Sequence, residues 1–460
     1  MRNQCRKKHK ITIGQLDIDL LCFCHIIFQH PDMLFTFNWL KKYLNTDKSV
    51  KEIANTLDNI GFEIEGLTDN GAVYDKFIVA EVLEAAPHPD ADTLKVCKVN
   101  DGKSTHQIVC GAPNARASIK VVMAEVGAIV PANQMVIKQA KIRGVESSGM
   151  MCSAAELKFG NDADGIIELP EDAKVGEAFA HYAHLNDTLI DLAITPNRGD
   201  GASVRGIARD LQGAGFGSLA AIPQNNLSKL VDENLFDLKD KEGVHEFSLI
   251  KMEGVQNPES AGLLTDFVKE TGSSGNRALV DISNYAMLSL GRPNHMYDAD
   301  KIEGKMVIRK SQEGETFMAL NGEEYTLPSG LTVIADSKKL LAIAGVIGGE
   351  SSKVDENTKN ILIEVANFSK KAVVESGRAI NVHTDSRYRF ERGIDSLSTE
   401  EFNGYITKLV EEICGGTLVS KQITVGDEAE NIRKIQYSAA DFAKLCGFEV
   451  DQSEIDKILN

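Results

Sequence analysis

His88-Pro89-Asp90-Ala91-Asp92-Thr93-Leu94, Ile108-Val109-Cys110-Gly111-Ala112-Pro113-Asn114 and Lys141-Ile142-Arg143-Gly144-Val145-Glu146-Ser147-Ser148-Gly149-Met150-Met151-Cys152-Ser153 fall within one stretch, Phe77 to Leu157. Around them the chain reads as short β-branched strands over 77–82, 93–99, 106–110 and 120–124, separated by Gly, Pro, Asn and Asp. That spacing suits a small closed barrel of the OB type. Lys138, Lys141 and Arg143 sit close together there, and with Arg116 and Lys120 they are candidate phosphate contacts. The net charge of -17 repels a polyanion at long range, so RNA contact has to come from such a local patch.

Working outward, 460 residues are too many for one hydrophobic core and predict about three or four domains. Apolar and charged contents of 43% and 25% are those of an ordinary soluble globular protein. No apolar run approaches the length of a membrane span. The 8 cysteines are scattered without a CxxC pair. Cys22-Phe23-Cys24-His25 has the wrong spacing for a zinc knuckle, so the cysteines read as thiols of a reducing cytosol. Residues 1–32 are basic and then apolar, but Asp17, Asp19 and His25 interrupt the apolar part and no small-residue cleavage site follows. They read as a disordered upstream extension before a natural start at Met33, with a mitochondrial transit peptide as the alternative.

Apolar residues recur at helical spacing from Trp39 to Ile60, which predicts two helices, the second capped by Ser49 or Asp47 and stopped at Gly61. Trp39 reads as a core residue. A helix is expected from Ser203 to about Leu211, and the polar stretch Asn225 to Gly243 reads as a linker. Beyond it, strands are expected at 278–282, 305–309, 331–335 and 360–365, with a tight turn at Ala344-Gly345-Val346-Ile347-Gly348-Gly349. Phe402 to Ile413 reads as a helix, and Ser438 to Asn460 as two short ones.

The barrel stretch is similar to the tRNA-binding OB-fold module of several tRNA-handling proteins. Asn197-Arg198-Gly199-Asp200, Ser203 to Arg209, Val280-Asp281-Ile282-Ser283-Asn284-Tyr285, Gly291-Arg292-Pro293-Asn294-His295-Met296-Tyr297-Asp298 and Arg387 to Asp395 follow it in order. Together they resemble the beta subunit of bacterial phenylalanyl-tRNA synthetase, from Met33 to Asn460. The resemblance implies a multidomain α+β fold. Its parts would be an extension (1–32), a small mixed N-terminal domain (33–70 plus 183–222) and an inserted OB-fold β-barrel (71–182). A linker (223–243), a mixed α/β editing domain of B3/B4 type (244–400), a connecting helix and strand (401–431) and an incomplete helical domain (432–460) would follow. Family members are usually much longer, so the chain reads as a truncated or split beta subunit.

The family keeps aminoacylation, with its ATP and Mg2+, on the alpha subunit, and this chain has no Walker loop. Its magnesium ligands would lie beyond Asn460, so no metal or cofactor is expected on this chain. The implied setting is a cytoplasmic heterotetramer of two alpha and two beta subunits acting on tRNA(Phe), away from membranes. The implied activity here is hydrolysis of tyrosine wrongly attached to tRNA(Phe). By resemblance His295 and Asn284 are catalytic, while Glu364, Gly345 and Ala344 bind substrate. Glu364 would accept a hydrogen bond that only tyrosine offers. His295 would orient a water or contact the terminal ribose. Asp298 reads as a cap or turn former, and Arg387 to Arg392 as an ion-pair cluster. A free-standing trans-editing hydrolase and a non-catalytic tRNA-binding remnant are the alternatives.

Overall fold

The computed structural model describes residues 10–13, 16–19, 33–159, 162–183, 185, 187–269, 271–273, 275–395, 399–425 and 435–459. The chain is mixed α+β and divides into two compact units, residues 1–66 with 190–460 and residues 67–189. No helix among the described residues is long and apolar enough to cross a membrane.

In the first unit, β1 (Lys10–Ile13) and β2 (Leu16–Asp19) pair antiparallel. The rest of 1–32, with the Cys22 to His25 cluster, lies outside the described residues. β3 (Met33–Thr36) leads into α1 (Phe37–Tyr43), whose first turn is capped by the Thr36 hydroxyl. α2 (Val50–Asn59) starts from a capping box, in which Ser49 and Glu52 side chains each accept the other's backbone N–H. Trp39 is a core residue: its ring stacks 5.2 Å from Tyr285 and 5.5 Å from Phe267, and its N–H donates to the Ser289 hydroxyl at 3.0 Å. β4 (Glu63–Asp69) closes this stretch.

The second unit is built from β5 (Phe77–His88), β6 (Ala91–Asn100), β7 (Thr105–Cys110), β8 (Ile119–Ala124), β9 (Ala140–Ile142), β10 (Val145–Ser147), β11 (Met150–Met151) and β12 (Glu168–Leu169). The sheet runs β11-β8-β5-β6-β7, with β12 also on β8, while β9 and β10 form a separate hairpin. This corrects the expectation of a closed barrel. The strand ladder does not join its two edges; β7 is instead bonded to the end of the β9–β10 hairpin, through the Ser148 N–H on the Gln107 carbonyl at 2.8 Å and the Val109 N–H on the Ser147 hydroxyl at 3.1 Å. Alternate apolar residues such as Val82, Cys97, Val99, Ile108 and Val121 still enclose a core inside the curl.

Back in the first unit, β13 (Thr188–Ala193) lies between β3 and β4, and α3 (Val204–Gly213) is capped by Ser203. Then come β14 (Phe236–Leu238), β15 (Val244–Glu253), α4 (Ala278–Leu290), β16 (Asn294–Asp298), β17 (Met306–Lys310), β18 (Thr332–Ala335), β19 (Leu340–Ile343), β20 (Ile347–Gly348) and β21 (Asn360–Phe368). α5 (Lys370–Ala379), α6 (Asp385–Arg392), α7 (Thr399–Cys414), β22 (Thr417–Val425), α8 (Ala439–Cys446) and α9 (Gln452–Leu459) follow. Two five-stranded sheets result: Val231–Asp232 with β22-β15-β21-β16, and β14-β17-β18-β19-β20.

Two expectations are corrected here. The strand expected over 278–282 is the first part of α4, which ends at Gly291 in the left-handed conformation. Its apolar residues face inward on nearly every side, and periodicity cannot separate such a buried helix from a buried strand. The expected linker instead supplies a short strand to each sheet, Val231–Asp232 parallel to β22 and β14 parallel to β17. Phe236 in it is a core residue. The side-chain amide of Gln422 secures this segment, accepting the N–H of Leu235 (2.5 Å) and Phe236 (2.8 Å) and donating to the Phe236 carbonyl (3.0 Å).

β21 has a core on each face. Ile361, Ile363 and Val365 join the core made with α1, α4 and α7, whereas Leu362, Ala366 and Phe368 join the one between the two sheets. The period of two puts Glu364 on the inter-sheet side.

Candidate functional site

β16 and β21 run antiparallel with His295 opposite Glu364 and Tyr297 opposite Leu362. His295 and Tyr297 share a strand face, so Tyr297 is the diagonal neighbour of Glu364 and within reach of it. The Tyr297 hydroxyl donates to Glu364 Oε2 at 2.5 Å, and its ring meets the His295 ring edge-on at 4.5 Å between centroids.

Opposite them the chain turns through Ala344-Gly345-Val346 between β19 and β20, closed by the Val346 N–H on the Ile343 carbonyl at 3.0 Å. Gly345 has φ +69, and a Cβ there would lie 2.9 Å from Val373, 3.0 Å from Phe368 and 3.1 Å from Phe390, so only glycine fits. The start of α6 fixes this turn: Thr384 donates to the Val346 carbonyl at 2.7 Å and Ser386 to that of Gly345 at 3.2 Å. At Gly348 a Cβ would lie 2.5 Å from the His295 ring.

These elements surround a cavity of about 80 Å³ lined by His295, Tyr297, Glu364, Gly345, Gly348 and Phe390 among others. Burial pushes the Glu364 carboxyl up to about 7, against the opposing effect of the Tyr297 hydrogen bond. Burial pushes His295 down to about 4, so its ring is neutral at physiological pH. His295 Nε2 and Asn294 Oδ1 are both shielded from solvent without a hydrogen-bond partner among the described residues. The site therefore pairs a neutral imidazole with a carboxyl poised near neutrality, facing a backbone turn.

Of the residues expected here, His295, Glu364 and Gly345 converge. Asn284 does not line the cavity; on α4, its amide donates to the Ser273 carbonyl at 2.6 Å. Ala344 is buried beside the cavity, with its N–H on the Thr332 carbonyl at 3.1 Å. Tyr297 and Asn294 were not singled out from sequence. The signal for Tyr297 is strand alternation, which puts residue 297 on the face of 295. Asp298 caps the short turn of helix at Ala299–Lys301, and Arg387 and Arg389 pair with Glu391 and Asp385 at 3.1 and 2.9 Å.

In the second unit a groove of about 750 Å³ is lined by Gly111, Pro113, Met135, Lys138, Ile142 and Glu156 among others. Lys138, Lys141 and Arg143 are exposed, Lys141 lying 3.8 Å from Glu146 across the β9–β10 hairpin. His88 Nε2 holds that hairpin at the Ile142 carbonyl (3.1 Å). Arg116 and Lys120 are engaged elsewhere. Arg116 grips both oxygens of Glu168 at 2.6 and 2.7 Å, and Lys120 donates to the carbonyls of Glu171 and Ala173 at 2.5 and 2.6 Å. Among the described residues no three His, Cys, Asp or Glu side chains are placed to hold a metal ion.

Residues 243–415 match the B3/4 domain family, and residues 77–178 match a tRNA binding domain family. The chain is 42% identical over 442 residues to the "Phenylalanine--tRNA ligase beta subunit" of Rhodopseudomonas palustris, covering 93% of this chain and 54% of that protein. It is 43% identical over 429 residues to the protein of the same name from Novosphingobium aromaticivorans, with the same coverage of 93% and 54%. The chain thus spans about half the length of the curated relatives it matches, 54% in both cases. A crystal structure of an N-terminal fragment of the phenylalanyl-tRNA synthetase beta subunit from Pyrococcus horikoshii aligns at a TM-score of 0.29 and 16% identity, over 60% of this chain and 76% of that one.

Proposed function

The chain belongs to the phenylalanine--tRNA ligase beta-subunit family, and from that premise we propose that it binds tRNA(Phe) and hydrolyses tyrosine mistakenly attached to it. The single observation that carries the hydrolytic part is the convergence of His295, Glu364 and the Gly345 turn around one cavity, inside the segment matching the B3/4 family. Attachment of phenylalanine is the work of an alpha-subunit partner in the cytoplasm. ATP and Mg2+ belong to that reaction, and no step on this chain runs through either.

The need for a second site is chemical. A pocket shaped for phenylalanine rejects one added hydroxyl only modestly. Glu364 supplies the converse selection. A tyrosyl phenol donates to its carboxylate, whereas a phenyl ring leaves that buried acceptor unmatched. The cavity, about 80 Å³, is smaller than the ~150 Å³ that takes a benzene ring, so the lining moves back as a ring enters. The neutral His295, with Nε2 unpartnered, holds a water or the terminal ribose. Water adds to the ester carbonyl carbon, the bond to the ribose oxygen breaks, and that oxygen takes the proton. The second unit contacts the tRNA backbone through Lys138, Lys141 and Arg143.

The test is deacylation of purified Tyr-tRNA(Phe) by the full chain, beside His295→Ala with Glu364→Ala. Release of tyrosine by the parent and not by the double variant is expected. Equal release by both removes the site assignment. No release by the parent leaves the chain as a tRNA-binding component.

A further inference from the structure

We infer that Tyr297 is a positioning residue of this cavity: its phenol pins one oxygen of Glu364 and leaves the other turned to an incoming hydroxyl. The inference rests on the proposed reading of the cavity as a tyrosine-selecting site.

The sheet register makes the arrangement possible. Residue 297 is two positions from His295 on the same strand face, diagonal to Glu364. The phenol is fully buried and donates to Oε2 at 2.5 Å. That is the one hydrogen bond Glu364 makes through its side chain among the described residues, so Oε1 is unengaged while the residue lines the cavity. A phenylalanine at 297 would fill the same space in the inter-sheet core but would donate nothing. The hydroxyl is therefore the part of Tyr297 given over to the carboxyl.

Two consequences follow from elementary chemistry. A donor to the charged form of a carboxyl favours ionisation, so Tyr297 opposes the burial that drives Glu364 towards neutrality. An ionised acceptor forms a hydrogen bond roughly twice as strong as a neutral one, so an ionised Glu364 selects a phenol better. The bond also fixes the carboxyl's orientation. A carboxylate has about four lone-pair sites, so the one taken by Tyr297 does not exclude a second donor.

The experiment is Tyr297→Phe in the full chain, with two readouts. The first is independent of activity: NMR titration of 13C-labelled glutamate, with the Glu364 signal identified by its loss in Glu364→Gln. The Glu364 midpoint is expected to rise by about one unit on loss of the phenol. The second is the ratio of Tyr-tRNA(Phe) to Phe-tRNA(Phe) deacylation across roughly pH 6 to 9. At pH 7 it should fall about fivefold to tenfold, the loss of ionised carboxyl that such a shift entails, and recover as the pH rises. A purely structural role would lower both rates equally at every pH. An unchanged or lowered Glu364 midpoint overturns the inference. If the parent chain itself does not deacylate, the proposed function fails, and the titration alone still decides whether Tyr297 controls Glu364. Should Tyr297→Phe unfold, 3-fluorotyrosine at position 297 keeps the shape and strengthens the donor, and it must then move the midpoint downward.

Discussion

The hairpin face of the second unit and the inner face of β16 and β21 treat ionisable side chains in opposite ways. On the hairpin, Lys138, Lys141 and Arg143 stand in water, while Arg116 and Lys120 nearby in sequence are used up on Glu168 and on backbone carbonyls. On the sheet face, His295 and Glu364 are drawn out of water and held near their neutral forms. A charge in solvent serves long-range attraction and is screened by salt. A group held near neutrality in a cavity serves selection, because a mismatched hydrogen bond there has no water to replace it.

The largest contrast should come from glycine. Gly345→Ala combines a left-handed backbone with three close side chains, and should cost about 3 kcal/mol by chemical denaturation. Gly144→Ala on the hairpin has φ +87 but nothing within 4 Å, and should cost only about 1 kcal/mol. Equal costs would mean that the turn beside the cavity is no more constrained than the hairpin.

Next in size is the pH dependence of stability. His295 falls from 6.5 to about 4 in the fold, so the unfolded chain binds its proton more tightly and stability is lost as pH falls through that interval. Glu364 rises from 4.5 to about 7, so the folded chain binds the proton more tightly and stability is lost as pH rises through that interval. Each limb is on the order of 3 kcal/mol, and in the parent chain they largely offset one another. Glu364→Gln should expose the His295 limb, with stability climbing from about pH 4 to 6.5. His295→Gln should expose the Glu364 limb, with stability falling from about pH 4.5 to 7. Urea midpoints across that range decide the matter, and flat profiles for both variants would mean the two groups titrate as if in water.

The smallest effect separates the loosely held cations of the hairpin face from those clamped by close hydrogen bonds. Replacing Lys138, Lys141 and Arg143 with alanine should reduce the slope of log affinity for tRNA against log salt by roughly 2. Replacing Arg116 and Lys120 should leave that slope alone, since neither charge is free to release a counterion. The reverse outcome would move the RNA face to the other edge of the sheet.

What was legible in the sequence follows from the same contrast. Local signals were readable: a cap at Ser49 or Asp47, which the structure settles as Ser49, the core role of Trp39, the four longer strands of the second unit and the α7 helix. Signals that depend on distant partners were not. Nothing local distinguishes Arg116, clamped by a glutamate 52 positions away, from Arg143, which is not. Residues 278–282 read as a strand because a helix buried on all sides loses its amphipathic stripe. In the site, His295 and Glu364 came from family resemblance, and Glu364 would otherwise have been taken for a solvent-facing carboxylate. Only the register of β16 on β21 brings Tyr297 to it.

The Gln422 amide has a mechanical consequence. Within a few residues the chain crosses from one sheet to the other, and a single side chain on β22 bonds the edge of Leu235 and Phe236 that is turned away from β17. A load that peels β22 away must therefore also break the grip on β14, so the two sheets have a shared seam. In native-state hydrogen exchange, the amides of Leu235 and Phe236 should open together with those of β22, and Gln422→Ala should let the two sheets breathe separately.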